Sequence, residues 1–338
     1  MWEGNTLKIR KWAVLAAVAT CALYLDRPAF ADDKIIIGFS QPSFGRDYRN
    51  AMTARNQEYA EKNLPDTKLI ITNAEGSSAK QISDVESLET RGMKVLMISA
   101  QDNAAITPTI KDVMAKGIKV VTLDRSLPTP VTLHIGPHNK PIGALAGKFL
   151  VDKLGGKANV VEIKGDPAVA PTVERHDGFA EAIKGSDVKV VAETHADWSQ
   201  QKALKFMEDT LQRLPVGQIQ AVYVHNDDMA FGALRAIQAA GRDKEGILVV
   251  GIDGENKAIR AVAKGDLAAT FTYSTVAPQG VIAAHALAIN DLSVLPTLGT
   301  LTKHDDGSLE VEIPSNMITK DNAASFFCKG FGDDPECK

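Results

Sequence analysis

Cysteine is scarce: the 338 residues hold three, Cys21, Cys328 and Cys337. That number cannot build a thiolate metal cluster, and no Cys/His grouping suggests another metal site. No Gly-x-Ser-x-Gly elbow is present, no P-loop, and no Gly-x-Gly-x-x-Gly after a strand, so the parts of most enzymes are missing. His134, His138, His176 and His195 are scattered, without a Ser or Cys arrangement that would make one of them a catalytic base. Excess positive charge is absent too. Lysine and arginine total 38 against 42 aspartates and glutamates, so net charge gives no support to electrostatic nucleic-acid binding. Fixed-period repeats and long linkers are not found. What remains is an ordinary globular composition, 44% hydrophobic and 24% charged, which points neither to disorder nor to a polytopic membrane protein. The length suffices for a large core and for two domains.

Residues 1–31 read as a secretory signal. Lys8, Arg10 and Lys11 form its basic part, Trp12 to Leu25 is an apolar run of 14 residues, and Ala29-Phe30-Ala31 is a small-x-small cleavage pattern. The run is short of the ~20 residues that span a bilayer. Cleavage after Ala31 would start the mature chain at Asp32, with 34 basic and 40 acidic residues left. Lipid attachment at Cys21 is disfavoured by Thr20, which is larger than the residue usually found before a lipidated cysteine. Export leaves Cys328 and Cys337 in an oxidising compartment, where they can close a short terminal loop.

From Lys34 onward apolar runs alternate with helical patterns. Strands are expected at Lys34–Phe39, Leu69–Thr72, Val95–Ile98, Lys119–Leu123 and Val131–Ile135, with helices between them. A second block repeats the rhythm from the helix Pro141–Leu154 to the strand Ala268–Tyr273, and a helix Val276–Ile289 follows. Short extended pieces fill 300–318, with a turn at Asp305-Asp306-Gly307. Short strands separated by helices of 11 to 15 residues indicate βαβ units. The fold class is therefore α/β, with two similar doubly wound parallel-sheet lobes. Right-handed crossovers place the strand ends of each lobe on one side.

Ligands of such sheets sit beyond the carboxyl ends of the strands. The most telling stretch is Ala221 to Met229. A buried strand runs directly into His225, Asn226, Asp227 and Asp228, and a helix follows. Asp227 or Asp228 suits the helix cap. Asn226, with donors and an acceptor, suits a polar ligand. Elsewhere Ser40, Asp124, Arg125 and Asp253 follow strands, and Tyr48, Arg175 and Trp198 lie at helix starts. Arg supplies forked donors, Asp accepts two hydroxyls, Asn does both, and aromatic faces cover the apolar side of a sugar ring. This is the chemistry of a polyol site. Structural alternatives stand beside it. Asp124 and Arg125 could pair locally, Asp253 could cap a helix, Trp198 could be core packing, Arg175 could pair with Glu174 or Asp177, and Arg49 could pair with Asp47 or point to solvent.

Gly38-Phe39-Ser40-Gln41, Tyr48-Arg49, Thr122 to Ser126, Glu174-Arg175, Ala196-Asp197-Trp198, Tyr223 to Met229 and Gly251 to Gly254 occur in one order and spacing. Together they resemble the periplasmic sugar-binding proteins of ABC importers, of the ribose- and galactose-binding type and closest to the galactofuranose-binding members. The resemblance covers Lys34 to about Thr319. It implies a type I periplasmic binding protein with two lobes joined by three crossing segments, placed near Gly136–Asn139, Asp253–Asn256 and Tyr273–Ala277. The expected N-terminal lobe is 32–136 with 275–304, and the C-terminal lobe is 137–274 with 305–338. It further implies hydrogen-bonding roles for Asp124, Arg125, Arg175, Asn226 and Asp253, ring stacking by Tyr48 and Trp198, and cleft positions for Ser40 and Tyr273. Arg49 stands where ribose binders place an aromatic, which favours a hexose such as galactose or galactofuranose over a pentose or sugar alcohol. The implied protein is a periplasmic, monomeric, non-enzymatic receptor without cofactor or metal. Its partners are a monosaccharide, an ABC permease and, as a further candidate, a chemoreceptor. A sugar-responsive regulator would need a DNA-binding helix-turn-helix where the signal lies. A sugar-processing enzyme would need paired carboxylates placed for acid/base work.

Overall fold

Apolar residues at neighbouring positions of one strand are divided between two cores. Val95 and Met97 pack into one cluster, and Leu96 and Ile98 into another on the opposite face of the same strand. Such two-sided burial requires helices on both faces, as in a parallel sheet. The structure, a computed structural model, describes residues 1–2 and 34–337. The expected signal segment, its cleavage after Ala31 and Cys21 therefore lie outside the described residues, apart from Met1 and Trp2. Lys34–Lys338 is a compact unit of its own. Among the described residues no helix is long and apolar enough to cross a membrane.

The chain first runs β1 (Ile35–Gln41), α1 (Asp47–Asn63), β2 (Thr67–Asn73), α2 (Ser78–Thr90), β3 (Val95–Ile98), α3 (Asn103–Ala115), β4 (Lys119–Leu123) and β5 (Leu133–Gly136). It continues through α4 (Asn139–Lys153), β6 (Lys157–Lys164), α5 (Ala170–Ile183), β7 (Asp187–His195), α6 (Gln200–Arg213), β8 (Ala221–Val224), α7 (Asp227–Ala239), β9 (Leu248–Val250), α8 (Asn256–Lys264) and β10 (Ala269–Phe271). The last part is α9 (Gln279–Ile289), α10 (Leu295–Leu298), β11 (Thr300–Lys303), β12 (Leu309–Glu312) and β13 (Met317–Thr319). One sheet has the order β11-β12-β5-β4-β3-β1-β2 and the other β13-β10-β9-β8-β6-β7. Pairing is parallel except for β11 with β12 and β10 with β13. Central β3 and β8 are buried throughout, whereas edge strand β7 alternates in exposure.

Helix starts follow the side chains available. Ser77, Asp102 and Ser199 cap α2, α3 and α6 by accepting a backbone N–H three residues on. Helices α4 and α5 touch through glycine. A Cβ at Gly143 would collide with the Arg175 carbonyl, and one at Gly178 with the Lys140 carbonyl. This contact fixes the helix that carries Arg175.

Two expectations about the lobes need correction. Asp253–Asn256 joins β9 to α8 inside the second lobe, so it is no crossing. The chain passes between the sheets after β5, between β10 and α9, and again between β12 and β13. The first lobe accordingly extends through Glu312 and does not stop at residue 304. The turn at 305–307 returns the chain antiparallel to β11, and Val311 of β12 is buried in the first lobe's core beside β5.

The tail packs on both lobes. Asn256 donates its backbone N–H to the Phe331 carbonyl at 2.9 Å and accepts from the Gly330 N–H at 3.0 Å. Buried Phe331 meets the Tyr48 ring edge-on, with centroids 5.4 Å apart. The Cys328 and Cys337 sulfurs stand at bonding distance, with Cα atoms 5.1 Å apart.

Candidate functional site

The strand ends of both sheets open on one cleft with about 470 Å³ of empty space. The first lobe contributes Arg46, Tyr48 and Arg49 around the start of α1, and Asp124 and Arg125 after β4. The second contributes Pro171 and Arg175 of α5, Trp198 before α6, Asn226 and Asp228 at α7, Asp253 after β9 and Tyr273 after β10.

Asp124 is the hub. Its Oδ2 accepts from Arg49 Nη2 at 2.7 Å and from Ser99 Oγ at 3.2 Å. Its Oδ1 accepts from the Tyr273 hydroxyl at 2.8 Å, a bond that ties the two lobes together. Burial alone pushes the Asp124 carboxyl up. The guanidiniums of Arg49 and Arg125 outweigh that and hold it below the ordinary carboxylate range. Arg49 also donates to Ser99 Oγ at 2.9 Å and lies 5.1 Å from the Tyr48 ring centre. Arg49 is therefore buried and paired with Asp124, neither solvent-facing nor bound to Asp47. Arg125 is committed to the Ala100 carbonyl and stands 3.9 Å from Asp124.

Across the cleft, Arg175 donates to Asn139 Oδ1 at 2.9 Å and to the His225 carbonyl. Its guanidinium lies 4.5 Å from the Tyr273 ring centre and 5.6 Å from that of Trp198. It makes no ion pair with Glu174 or Asp177. Behind it, buried Glu162 accepts from His176 and His225, the neighbours of Arg175 and Asn226. Burial presses the His225 imidazole down to about 4, against the pull of Glu162, so the ring is neutral near pH 7. Glu162, His176 and Glu193 also come within metal-ligating reach of one another, but Lys164 is 3.1 Å from Glu193 and supplies a positive charge there.

Trp198 lies against Gly165, where a Cβ would collide with its six-membered ring, and its indole N–H is buried without a partner. Asp253 is buried in left-handed backbone, φ 127°. Among the described residues no donor meets its carboxylate. Burial pushes its pKa well up, against the pull of Arg175. An acceptor without a donor and a donor without an acceptor thus share one cleft.

Of the residues singled out in the sequence, Tyr48, Arg49, Asp124, Arg125, Arg175, Trp198, Asn226, Asp253 and Tyr273 line the space. Ser40 does not. It lies inside β1, one residue before the strand end, and its buried hydroxyl has no partner. Asn226 differs from expectation in its second role. Its Oδ1 caps α7 by accepting the Met229 N–H at 3.0 Å, which leaves the amide NH2 for the cleft. Asp227 is buried under it, bonded to Thr270 and to the Glu255 N–H, while Asp228 lines the cleft and pairs with Lys257. Tyr48 donates to the Ser274 carbonyl at 2.9 Å, which fixes its ring at the cleft wall. Sequence reasoning missed Arg46 and Pro171, and read the cleft-lining Asp228 as a helix cap. The strand-end rule that found Asp124 would have found Arg46, which lies in the loop between β1 and α1.

The two-lobed α/β architecture with a polar cleft between strand ends defines the class: a type I periplasmic binding protein fold. The periplasmic binding protein domain family matches residues 37–289, and the chain belongs to that family. The ribose import binding protein of Haemophilus influenzae is 31% identical over 281 residues, covering 82% of this chain and 92% of that protein. That of Bacillus subtilis is 41% identical over 204 residues, but the match covers only 60% of this chain and 65% of that one. A solved galactofuranose binding protein superposes with a TM-score of 0.76 at 27% identity, covering 88% of this chain and 98% of that one. These relatives are binding proteins and not enzymes.

Proposed function

We propose that this chain is a periplasmic receptor that captures a monosaccharide between its lobes and delivers it to an ABC permease, without chemical turnover. The observation that carries the reading is the set of polar and aromatic side chains from both lobes that converge on one cleft, tied across by Tyr273 and Asp124. A sugar bonded by both lobes favours the closed arrangement over the open one, and the permease recognises the closed one. Trp198 and Tyr48 supply faces for the ring, and Asp253, Asn226 and the guanidiniums supply hydroxyl partners. The names of the relatives, ribose and galactofuranose binders, support a sugar. The receptor acts as a monomer, and a chemoreceptor is a second candidate partner.

The ligand in this reading is a hexose such as galactose or galactofuranose. With Arg49 holding Asp124 where an aromatic would clasp a pentose, the first lobe offers one ring face and extra donors. Calorimetric titration with galactose, galactofuranose, arabinose and ribose tests both levels. Tight one-to-one binding of a hexose is expected. Tightest binding of ribose would overturn the hexose assignment, and turnover, or no binding of any sugar, would overturn the receptor reading.

A further inference from the structure

We infer that Arg46, and not Arg49, reads the exocyclic C6 oxygen of a hexose held in this cleft, an inference that rests on the monosaccharide reading above. The four guanidiniums lining the cleft differ in how far they are already bonded. Arg49 donates to Ser99 and Asp124, Arg125 to the Ala100 carbonyl, and Arg175 to Asn139 and the His225 carbonyl. Arg46 has one contact, a long 3.5 Å approach of Nη1 to the Asp197 carbonyl of the opposite lobe. Among the described residues no carboxylate pairs with it. A guanidinium carries five N–H donors, so most of this fork is unmet.

Its surroundings make that costly. Arg46 is half-buried; that burial lowers its pKa first, and the positive charge of Arg49, three residues on, lowers it further, against the pull of Asp228, Asp166 and Asp253. Desolvated donors of this kind call for oxygen acceptors. The ring of a bound sugar has other partners, since Trp198 and Tyr48 offer faces and Asp124, Asn226 and Asp253 offer hydroxyl partners. Arg46 touches the carbonyl of the residue just before Trp198. It therefore stands at the rim of the stacking face, where a substituent projecting from the ring arrives. A pentopyranose lacks that substituent, a pentofuranose ends it at C5, and a 6-deoxyhexose has the C6 carbon without the oxygen.

Three sugars of shared ring configuration separate the possibilities: D-galactose, D-fucose (6-deoxygalactose) and L-arabinose, which lacks C6 altogether. Calorimetry on the wild-type protein should show galactose bound roughly 10–100-fold more tightly than either of the others, the range set by one charge-assisted hydrogen bond. In Arg46→Ala the galactose advantage should collapse, while affinity for L-arabinose stays within a few-fold. In Arg49→Ala all three should weaken together, because Asp124 loses its partner. Arg46→Gln, which is shorter and uncharged, repeats the test should the alanine variant fold poorly, and both variants are checked by thermal unfolding. Equal losses for all three sugars in the Arg46 variants, or an undiminished galactose preference, would overturn this inference alone. A wild type that binds none of the sugars would overturn the monosaccharide reading and the inference with it.

Discussion

Asp124→Asn removes a charge while keeping the shape. The backbone at Asp124 is left-handed, φ 67°, a conformation that Asn tolerates better than other non-glycine residues, whereas Ala would add strain. The carboxylate accepts from Arg49, Ser99 and Tyr273. An amide has one oxygen, and its NH2 would face a donor on the other side. Breaking a buried ion pair outright costs ~3–5 kcal/mol. The amide oxygen still meets Arg49 and recovers part, so a stability loss of about 2–3 kcal/mol is expected. The sugar loses a charged acceptor, which is worth ~1.5–3 kcal/mol, or a roughly 10- to 150-fold weaker Kd. Urea unfolding and calorimetry on one preparation measure both. A folded variant with wild-type affinity would show that Asp124 is only an interlobe tie, and the assignment of the site would fall with it.

Gly165→Ala should push the Trp198 ring out of place and weaken sugar binding at least tenfold, by calorimetry, although residue 165 itself offers no side chain to the ligand; unchanged affinity would mean that the ring is not a stacking face. Cys328 and Cys337 should be joined in exported protein, seen as a gain of two hydrogens in intact mass on reduction, and replacing both by Ser should cost about 2–3 kcal/mol on unfolding; free thiols in periplasmic material would refute the bridge. Glu255 is 1% exposed, and burial followed by Asp228 pushes its carboxyl up to about 7 from an ordinary 4.5. Lys257, 2.7 Å away and itself held above the lysine range, does not outweigh that burial. Because the folded value lies above the unfolded one, the stability from this proton is complete below pH 4.5 and is lost as pH rises through 7. The full loss is on the order of 3 kcal/mol. Thermal midpoints should therefore fall between pH 5 and pH 8, and Glu255→Gln should flatten part of the fall; an identical slope in the variant would refute it.

Much of this was legible in the sequence because the determinants are local. Val95–Ile98 and Lys119–Leu123 match the observed strands residue for residue, since a short run rich in apolar and β-branched residues between helical patterns allows little else. Asp124, Arg125, Asn226 and Asp253 came to the cleft by one rule, that ligands sit beyond strand ends, Tyr48, Arg175 and Trp198 by their place at helix starts, and Arg49 and Tyr273 by the family resemblance. What escaped depends on distant partners. Nothing near β12 says that it pairs in parallel with β5, so the first lobe was ended too early. Arg49 reads as a ligand contact until Asp124, 75 positions away, is found bonded to it. Arg46 went unremarked because only folding brings Asp197 of the other lobe beside it. Asn226 lines the cleft, but the sequence reading of its role was incomplete, because its oxygen is already engaged by the helix that follows.

The central claim is that a sugar binds between the lobes against Trp198. The chain holds three tryptophans, Trp2, Trp12 and Trp198, so protein beginning at Asp32 has Trp198 alone, and its fluorescence reports directly on the cleft. The measurement is a fluorescence titration of that protein with galactose and galactofuranose, with Asp124→Asn alongside. The account predicts a saturable, one-site change in Trp198 emission that is lost or shifted to much higher sugar in the variant. Binding that is detected by calorimetry but leaves Trp198 emission unchanged would place the sugar elsewhere and contradict the account.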